Sequence, residues 1–164
     1  MPKVALIMGS KSDWPSLKGC VDVLRGFEID VEVHVASAHR TPEKVAEFAD
    51  HARENGFEVM IAAAGKAAHL AGVIAGHTTL PVIGIPIKSS FMDGLDSLLS
   101  TVQMPTGIPV ATVAVGGGDN AAYLAAQILS VKYPELQAKL DAHRVKMAEG
   151  IEKADKEICE ELGL

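Results

Sequence analysis

The sequence predicts a three-layer α/β/α domain built on a parallel sheet and followed by a long C-terminal helix. Five short apolar runs alternate with longer segments of helical period, which is typical of repeated βαβ units. Most of the runs are apolar almost throughout, as expected for strands that helices cover on both faces. With 164 residues, of which 48% are hydrophobic, the chain has the size of one ordinary domain. We therefore expect one domain over residues 1–164.

The apolar runs set the order of the predicted strands. In chain order they are KVALIM (3–8), VEVHVA (31–36), VMIAAA (59–64), PVIGIP (81–86) and PVATVAV (109–115). The second run alternates apolar and polar side chains, so we expect it nearer an edge of the sheet. Between the runs, apolar residues recur at helical spacing: Leu17, Val21 and Leu24 in one stripe, then Val45, Phe48, Ala49 and Ala52 in another. Residues 119–131 read as an Ala-rich, buried helix.

The last segment, 134–162, predicts one long amphipathic helix. Its apolar side chains recur at steps of three or four residues: Leu136, Leu140, His143, Met147, Ile151, Ala154, Ile158 and Leu162. Such a helix runs about 40 Å at 1.5 Å per residue, which exceeds the width of a small sheet. We therefore expect part of it to pack on another subunit; the alternative is a helix folded entirely on its own sheet.

Composition and charge narrow the class of protein. No apolar stretch approaches the roughly 20 residues that span a bilayer, and the N-terminus reads as a first strand of an unexported protein. Cys20 and Cys159 are far apart and lack further ligands at metal-binding spacing, so we expect free thiols in a reducing cytoplasm. The net charge of −6 and the absence of a basic run argue against a nucleic-acid partner.

Ligands of open α/β sheets bind beyond the carboxyl ends of the strands, so the loops after the strands are the candidate sites. The first, M-G-S-K-S-D at 8–13, offers the hydroxyls of Ser10 and Ser12 beside the free N–H groups of a helix start. This chemistry suits a phosphate. The alternative is that Ser12 or Asp13 only caps the helix. The loop lacks the spacing of a dinucleotide fingerprint and the lysine of a P-loop.

The second loop, S-A-H-R-T-P at 37–42, places an anion-binding side chain next to a titratable one. Arg40 offers a bidentate fork for phosphate, and His39 is able to exchange protons near neutral pH. Ser37 adds a hydroxyl, whereas Thr41 and Pro42 are expected to start the next helix as N-cap and N1 residues. We therefore expect a functional role for His39 and Arg40.

The third loop, A-G-K-A-A-H-L-A-G at 64–72, contains small residues that let the backbone approach a ligand, together with Lys66 and His69. The other four histidines lack partners at ligand spacing and are expected to be structural or solvated: His34, His51, His77 and His143. Residues 96–110 contain serines but no G-x-S-x-G elbow, so we assign this stretch to packing and assembly.

Six motifs together resemble the PurE family over about residues 3–130. They are MGSKSDW (8–14), SAHRTPE (37–43), AGKAAHLAG (64–72), PVIGIP (81–86), DSLLSTVQMPTGIPV (96–110) and NAAYLAAQIL (120–129). The family contains 5-(carboxyamino)imidazole ribonucleotide mutases of purine biosynthesis and a sibling branch that carboxylates aminoimidazole ribonucleotide directly. The resemblance implies a flavodoxin-like sheet and a homo-octamer whose active sites lie between subunits, and with the single domain and the reducing cytoplasm expected above it gives one catalytic domain per chain in a cytoplasmic enzyme.

The resemblance also implies roles for individual residues. His39 matches the proton-transfer residue and is the predicted catalytic group. The predicted substrate-binding residues are Ser10, Ser12, Asp13, Ser37, Arg40, Gly65, Lys66 and His69. Of these, Ser10 and Asp13 match residues that bind the phosphate and ribose region, and Ser37 and Arg40 match phosphate ligands. The reaction that the family implies moves a carboxyl group by way of carbon dioxide and requires no metal, biotin or ATP. We therefore expect no cofactor and no metal site.

Two departures from the family pattern leave alternatives open. Mutases commonly have Gly and Pro where this chain has Lys66 and Ala71, and the Gly116–Asp119 stretch is shorter than expected of many mutases. The carboxylase branch tends to have Lys at the position of Arg40 and a different motif in place of A-A-H-L, so the mutase is the better match. The alternatives are a direct carboxylase and, from another class, a non-catalytic sensor of phosphoribosyl ligands.

Overall fold

Five strands and six α-helices alternate along the chain in the computed structural model, which describes residues 1–164. The strands are β1 (Lys3–Met8), β2 (Asp30–Val35), β3 (Val59–Gly65), β4 (Val82–Ile87) and β5 (Ala111–Thr112). The helices are α1 (Lys18–Gly26), α2 (Pro42–Asp50), α3 (Leu70–His77), α4 (Leu95–Val102), α5 (Gly118–Ser130) and α6 (Pro134–Leu162). Short 3₁₀ turns over Lys11–Ser16 and Met92–Gly94 precede α1 and α4.

The strands form one parallel sheet in the order β2-β1-β3-β4-β5. This is the flavodoxin-like order, so the predicted fold class is confirmed. The chain moves outward in one direction from β1 to β2 and in the other from β3 to β5. The loops after β1 and β3 therefore diverge, which opens a crevice at the carboxyl edge of the sheet.

Two hydrophobic cores cover the two faces of the sheet. Val4, Leu6 and Met8 of β1 point into a core that α1 and α5 close. Ala5 and Ile7 point into the opposite core, against α2 and α3. Because successive side chains of a strand enter different cores, a central strand must be apolar at every position. This explains the uninterrupted apolar runs in the sequence.

The edge strands differ from the central ones. β2 pairs only with β1, so the edge position predicted from its alternating sequence is confirmed, and Val33 and Val35 of this strand are partly exposed. The fifth predicted strand, 109–115, is wrong in length, because only Ala111–Thr112 pair with β4. Beyond them Val113 N–H donates to Gly84 O and Gly116 N–H donates to Pro86 O, so three residues on one side face two on the other. This extra residue ends the regular ladder, as in a β-bulge.

Helix α6 has the predicted bounds but only its first part packs on the rest of the chain. Leu136 is buried in the core beneath α5, and the ring of His143 stacks on Tyr123 with centroids 4.6 Å apart. Farther along, Met147 and Ile151 are 59% and 73% exposed. The fully self-packed alternative is therefore wrong for the second half of the helix. None of the helices combines the length and the apolar composition that a membrane span requires.

Candidate functional site

The loops that follow β1, β2, β3 and β4 enclose one cavity of about 520 Å³ at the carboxyl edge of the sheet. All nine residues predicted from the sequence as site residues line it: Ser10, Ser12, Asp13, Ser37, His39, Arg40, Gly65, Lys66 and His69. Three loops that are distant in sequence therefore share one site. The strand order explains this, because β2, β1, β3 and β4 are neighbours in the sheet.

In the first loop, Ser10 rather than Ser12 or Asp13 acts as the cap. Its Oγ accepts hydrogen bonds from Ser12 N–H (3.3 Å) and from Ser12 Oγ (2.9 Å), which fixes the turn over Lys11–Ser16. Partial burial raises the pKa of Asp13, although hydrogen bonds from Ser10 and Ser12 and the nearby Arg40 charge oppose this shift. The loop thus presents two hydroxyls and a partly desolvated carboxyl group to the cavity.

Arg40 connects the first and second loops. Its guanidinium donates to Gly9 O (2.8 Å) and to Ser37 Oγ (3.3 Å). Ser37 Oγ also accepts from Arg40 N–H (3.2 Å). Thr41 lies at the N-cap of α2 and Pro42 at N1, as predicted, but the Thr41 hydroxyl bonds back to Ser37 instead of capping the helix. The result is a guanidinium fixed beside the Ser37 hydroxyl, in the same cavity as the Ser10 and Ser12 hydroxyls, and this group of side chains can bind an oxyanion.

The second and third loops meet through two histidines. His39 Nε2 lies 2.8 Å from His69 Nδ1, and the two rings are nearly perpendicular. One nitrogen of this bond must donate and the other must accept, so the pair shares one proton at the contact. His69 occupies the N-cap position of α3. Two groups that can carry a proton are therefore held next to the anion-binding cluster around Arg40.

Lys66 is the least constrained of the predicted residues. Its side chain is exposed, forms no hydrogen bond or ion pair, and lies on a backbone with φ of 55°, in the left-handed region. Glycine is the residue that adopts this conformation without a steric cost. The left-handed backbone therefore explains why the family pattern has glycine at this position.

The sequence analysis missed the loop after β4. Ile87, the last residue of β4, and Lys88 and Ser89, which follow it, line the cavity. The strand prediction ended at residue 86 and assigned no role to the following residues. The signal that finds them is the one used for the other loops: polar residues directly after a buried parallel strand. Ser97, Ser100 and Thr101 donate to backbone carbonyls, which agrees with a packing role for the start of 96–110.

The four remaining histidines lie outside the cavity. His51 pairs with Glu54 and His77 with Asp50, in both cases at 3.0 Å. His34 packs on Phe48, and its Nε2 is buried without a hydrogen-bond partner. No three side chains of the types His, Cys, Asp and Glu converge as metal ligands would. The expectation that these histidines are structural or solvated agrees with their surroundings.

The raised pKa of Asp13 leads to a prediction about stability. The pKa of Asp13 is higher in the folded chain than its usual value of 3.8. Above that usual value, the carboxyl group ionises more readily in the unfolded chain than in the folded one. Raising the pH past 3.8 therefore destabilises the fold. We expect Asp13→Asn to raise the melting temperature at pH 7 and to lose this advantage below about pH 3.8. Thermal unfolding at both pH values, with Asp22→Asn as a control, measures this. A lower melting temperature of Asp13→Asn at pH 7 contradicts it.

Comparisons with known proteins identify a matching family and closely similar sequences. A family model described as AIR carboxylase matches residues 3–150. A protein of Pyrococcus abyssi named N5-carboxyaminoimidazole ribonucleotide mutase is 60% identical over 147 residues, covering 90% of this chain and 84% of the relative. A Thermotoga maritima protein of the same name is 52% identical, covering 95% and 92%.

A solved structure gives the same result for the whole fold. The protein in the crystal structure of Treponema denticola PurE is 28% identical to this chain, and the two folds match with a TM-score of 0.88. The match covers 96% of this chain and 98% of the other. The fold, the length and the sequence therefore agree over nearly the whole chain. The resemblance seen in the six motifs is confirmed, and the chain belongs to the AIR carboxylase family, of which PurE is a member.

Proposed function

We propose that this chain is an N5-carboxyaminoimidazole ribonucleotide mutase, an isomerase of purine biosynthesis. The observation that carries the proposal is the hydrogen-bonded His39–His69 pair in the same cavity as the Arg40 cluster. Relatives at 60% and 52% identity have the name of this activity. The substrate is a ribonucleotide with a carboxyl group on its exocyclic nitrogen, and the product bears that group on the ring carbon.

The Arg40 cluster is the proposed site of the substrate's phosphate. Arg40 provides a fixed charge beside the Ser37 hydroxyl, and the hydroxyls of Ser10 and Ser12 line the same cavity. Asp13, next to these serines, is placed to accept hydrogen bonds from the ribose hydroxyls. Such contacts position the imidazole ring over the histidine pair, and positioning of this kind supplies a large part of the rate advantage.

The histidine pair is the proposed proton carrier. Breaking the carbamate C–N bond releases carbon dioxide, and the exocyclic nitrogen must receive a proton. The ring carbon then attacks carbon dioxide and must lose its own proton. His39, the predicted catalytic residue, can give the first proton and take the second, so the exchange is balanced. General acid–base catalysis of this kind typically contributes about 10²–10⁴ in rate.

The direct test supplies each ribonucleotide separately and follows the carbon-carboxylated product. We expect N5-carboxyaminoimidazole ribonucleotide to be consumed without added bicarbonate. Turnover only of aminoimidazole ribonucleotide with bicarbonate would instead identify a direct carboxylase. Binding of both ribonucleotides without any turnover would identify a sensor.

Variants of Lys66 provide a second test that distinguishes a mutase from a direct carboxylase. An exposed ammonium without partners is poorly preorganised to stabilise a transition state, so we expect Lys66→Gly to change the rate by less than about tenfold. The same change relieves the left-handed backbone and should stabilise the fold by about 0.5–1 kcal/mol. Lys66→Ala removes the charge but keeps the strained backbone, so it is the matched control. A loss of several hundredfold in both variants would favour the carboxylase.

The quaternary structure proposed for this chain is a homo-octamer in the cytoplasm. Support comes from the exposed apolar side chains of α4 and α6, among them Leu99 (47% exposed) and Ile151 (73% exposed). Both cysteines are free thiols, which suits a reducing compartment. We expect light scattering at micromolar concentration to give the mass of eight chains. A stable, active monomer would contradict the proposal. Ile151→Glu and Leu99→Glu test the two surfaces separately.

A further inference from the structure

The loop after β4 carries a lysine for which the proposed function has no use so far. Lys88 lines the cavity, and its Nζ lies 3.1 Å from Asp93 Oδ1. This ion pair is the only contact of the ammonium group. Both side chains are largely exposed, Lys88 at 71% and Asp93 at 85%. Exposed ion pairs contribute little to stability, so Lys88 can exchange Asp93 for another anion at little cost.

The backbone next to Lys88 is held by hydrogen bonds, whereas the charged end of its side chain has only the exposed ion pair with Asp93. On one side, the buried Ser97 hydroxyl donates to Ile87 O at 2.8 Å. On the other, the Ser89 hydroxyl donates to Asp96 Oδ1 at 2.7 Å. Lys88 is therefore held at its backbone while its ammonium group can change partners, which is what a residue that binds a ligand at the cavity wall requires.

The position of Lys88 in the sheet separates it from Arg40. Arg40 follows β2 and Lys88 follows β4, and β1 and β3 lie between these strands. Three interstrand steps of about 4.8 Å place the two loops roughly 14 Å apart. The Arg40 guanidinium contacts Gly9, after β1, and His39 contacts His69, after β3, so the strands that carry these groups all lie on one side of β4. Lys88 thus adds a cation at the β4 side of the cavity, apart from the Arg40 cluster.

The charge of the cavity differs in sign from that of the whole chain. Its lining includes Arg40, Lys66 and Lys88 but only one carboxyl group, that of Asp13, whereas the chain has a net charge of −6. Concentrating cations in one cavity of an acidic protein favours a ligand with more than one anionic group. The phosphate accounts for Arg40. A second anion on the same ligand would account for Lys88.

We propose that Lys88 binds the carboxylate of the carboxylated ribonucleotide and so distinguishes it from the uncarboxylated one. The inference rests on the proposed function, because it takes the ligand to be an imidazole ribonucleotide. Lys88 leaves Asp93 when this carboxylate arrives and returns to Asp93 when the ligand dissociates. Asp93 is therefore a competitor for the same ammonium group, and removing its charge should favour the ligand.

The local backbone makes Asp93 a clean position for this test. Asp93 has a φ of 55°, in the left-handed region, where Asn is among the best tolerated residues. Asp93→Asn therefore removes the charge without adding strain. Lys88→Met removes the ammonium group but keeps an unbranched side chain. Lys11→Met is the matched control, since Lys11 is an exposed lysine near the cavity that does not line it.

The experiment measures, by calorimetry, the Kd of 4-carboxy-5-aminoimidazole ribonucleotide and of 5-aminoimidazole ribonucleotide for each variant of the full chain. We expect Lys88→Met to raise the first Kd about tenfold and the second less than twofold. Asp93→Asn should lower the first Kd two- to threefold and leave the second unchanged. Lys11→Met should change neither.

Two outcomes overturn the role of Lys88: an equal shift of both Kd values in Lys88→Met, or no shift of either. If Asp93→Asn leaves the Kd of 4-carboxy-5-aminoimidazole ribonucleotide unchanged, Asp93 does not compete with the ligand for Lys88, and that part of the proposal is wrong. The failure of the proposed function looks different, because the unaltered chain would then bind neither ribonucleotide, or would bind them without consuming N5-carboxyaminoimidazole ribonucleotide. The two proposals are thus separated by the behaviour of the unaltered protein.

Discussion

His39→Asn is expected to abolish measurable turnover while the Kd of the ribonucleotide changes by less than about tenfold. The amide of Asn can donate or accept a hydrogen bond but cannot carry a proton from the ring carbon to the exocyclic nitrogen. The variant therefore loses the acid–base contribution, typically about 10²–10⁴ in rate. The Arg40 cluster, which holds the phosphate in our proposal, stays intact because its bonds involve Gly9 and Ser37.

Steady-state rates and calorimetric Kd values on the same preparations check this expectation. His51→Asn is the matched control, since His51 is exposed, bonds to Glu54 and lies outside the cavity. His69→Asn is informative as well, because His69 contacts His39 at 2.8 Å and would act through it. We expect it to lose less activity than His39→Asn. A rate near that of the unaltered enzyme in His39→Asn would refute the catalytic role.

The sequence predicted the parts of the fold that local chemistry determines. Central strands such as β1 and β3 lie between two cores, so every position is apolar and their limits are visible in the sequence. The bounds of α6 were predicted equally well, because Pro134 starts the helix and Gly163 ends it with a φ of 70°. Apolar periodicity and these two residues define the helix without any tertiary contact.

The features that the sequence analysis predicted wrongly or missed depend on pairing between residues distant in the sequence. β5 was predicted from 109–115, but apolar side chains do not reveal that an extra residue breaks its ladder with β4 after Thr112. The loop containing Lys88 was missed because no motif attracts attention to it. Its position in the cavity follows from the strand order, in which β4 is a neighbour of β3. The contact between His39 and His69 likewise follows from that order rather than from either motif.

The second large effect is expected at Arg40, on binding rather than on chemistry. Its guanidinium is fixed by Gly9 O at 2.8 Å and Ser37 Oγ at 3.3 Å, so it is preorganised for a phosphate. Losing such a charged contact costs about 2–4 kcal/mol, which raises the Kd of the ribonucleotide roughly 30- to 1,000-fold. We expect this from Arg40→Ala, with a smaller fall in the rate at saturating substrate.

Arg40→Lys separates charge from geometry. Lysine keeps the positive charge but cannot form the planar fork that reaches Gly9 and Ser37 together, so we expect a Kd between those of the unaltered protein and Arg40→Ala. Arg53→Ala is the matched control, because Arg53 is an arginine that bonds to Thr79 outside the cavity. Calorimetry with the ribonucleotide, and with its nucleoside lacking the phosphate, completes the test. A contact between Arg40 and the phosphate contributes to binding of the ribonucleotide but not of the nucleoside. If Arg40→Ala weakened the binding of both equally, Arg40 would therefore shape the loops without binding the phosphate.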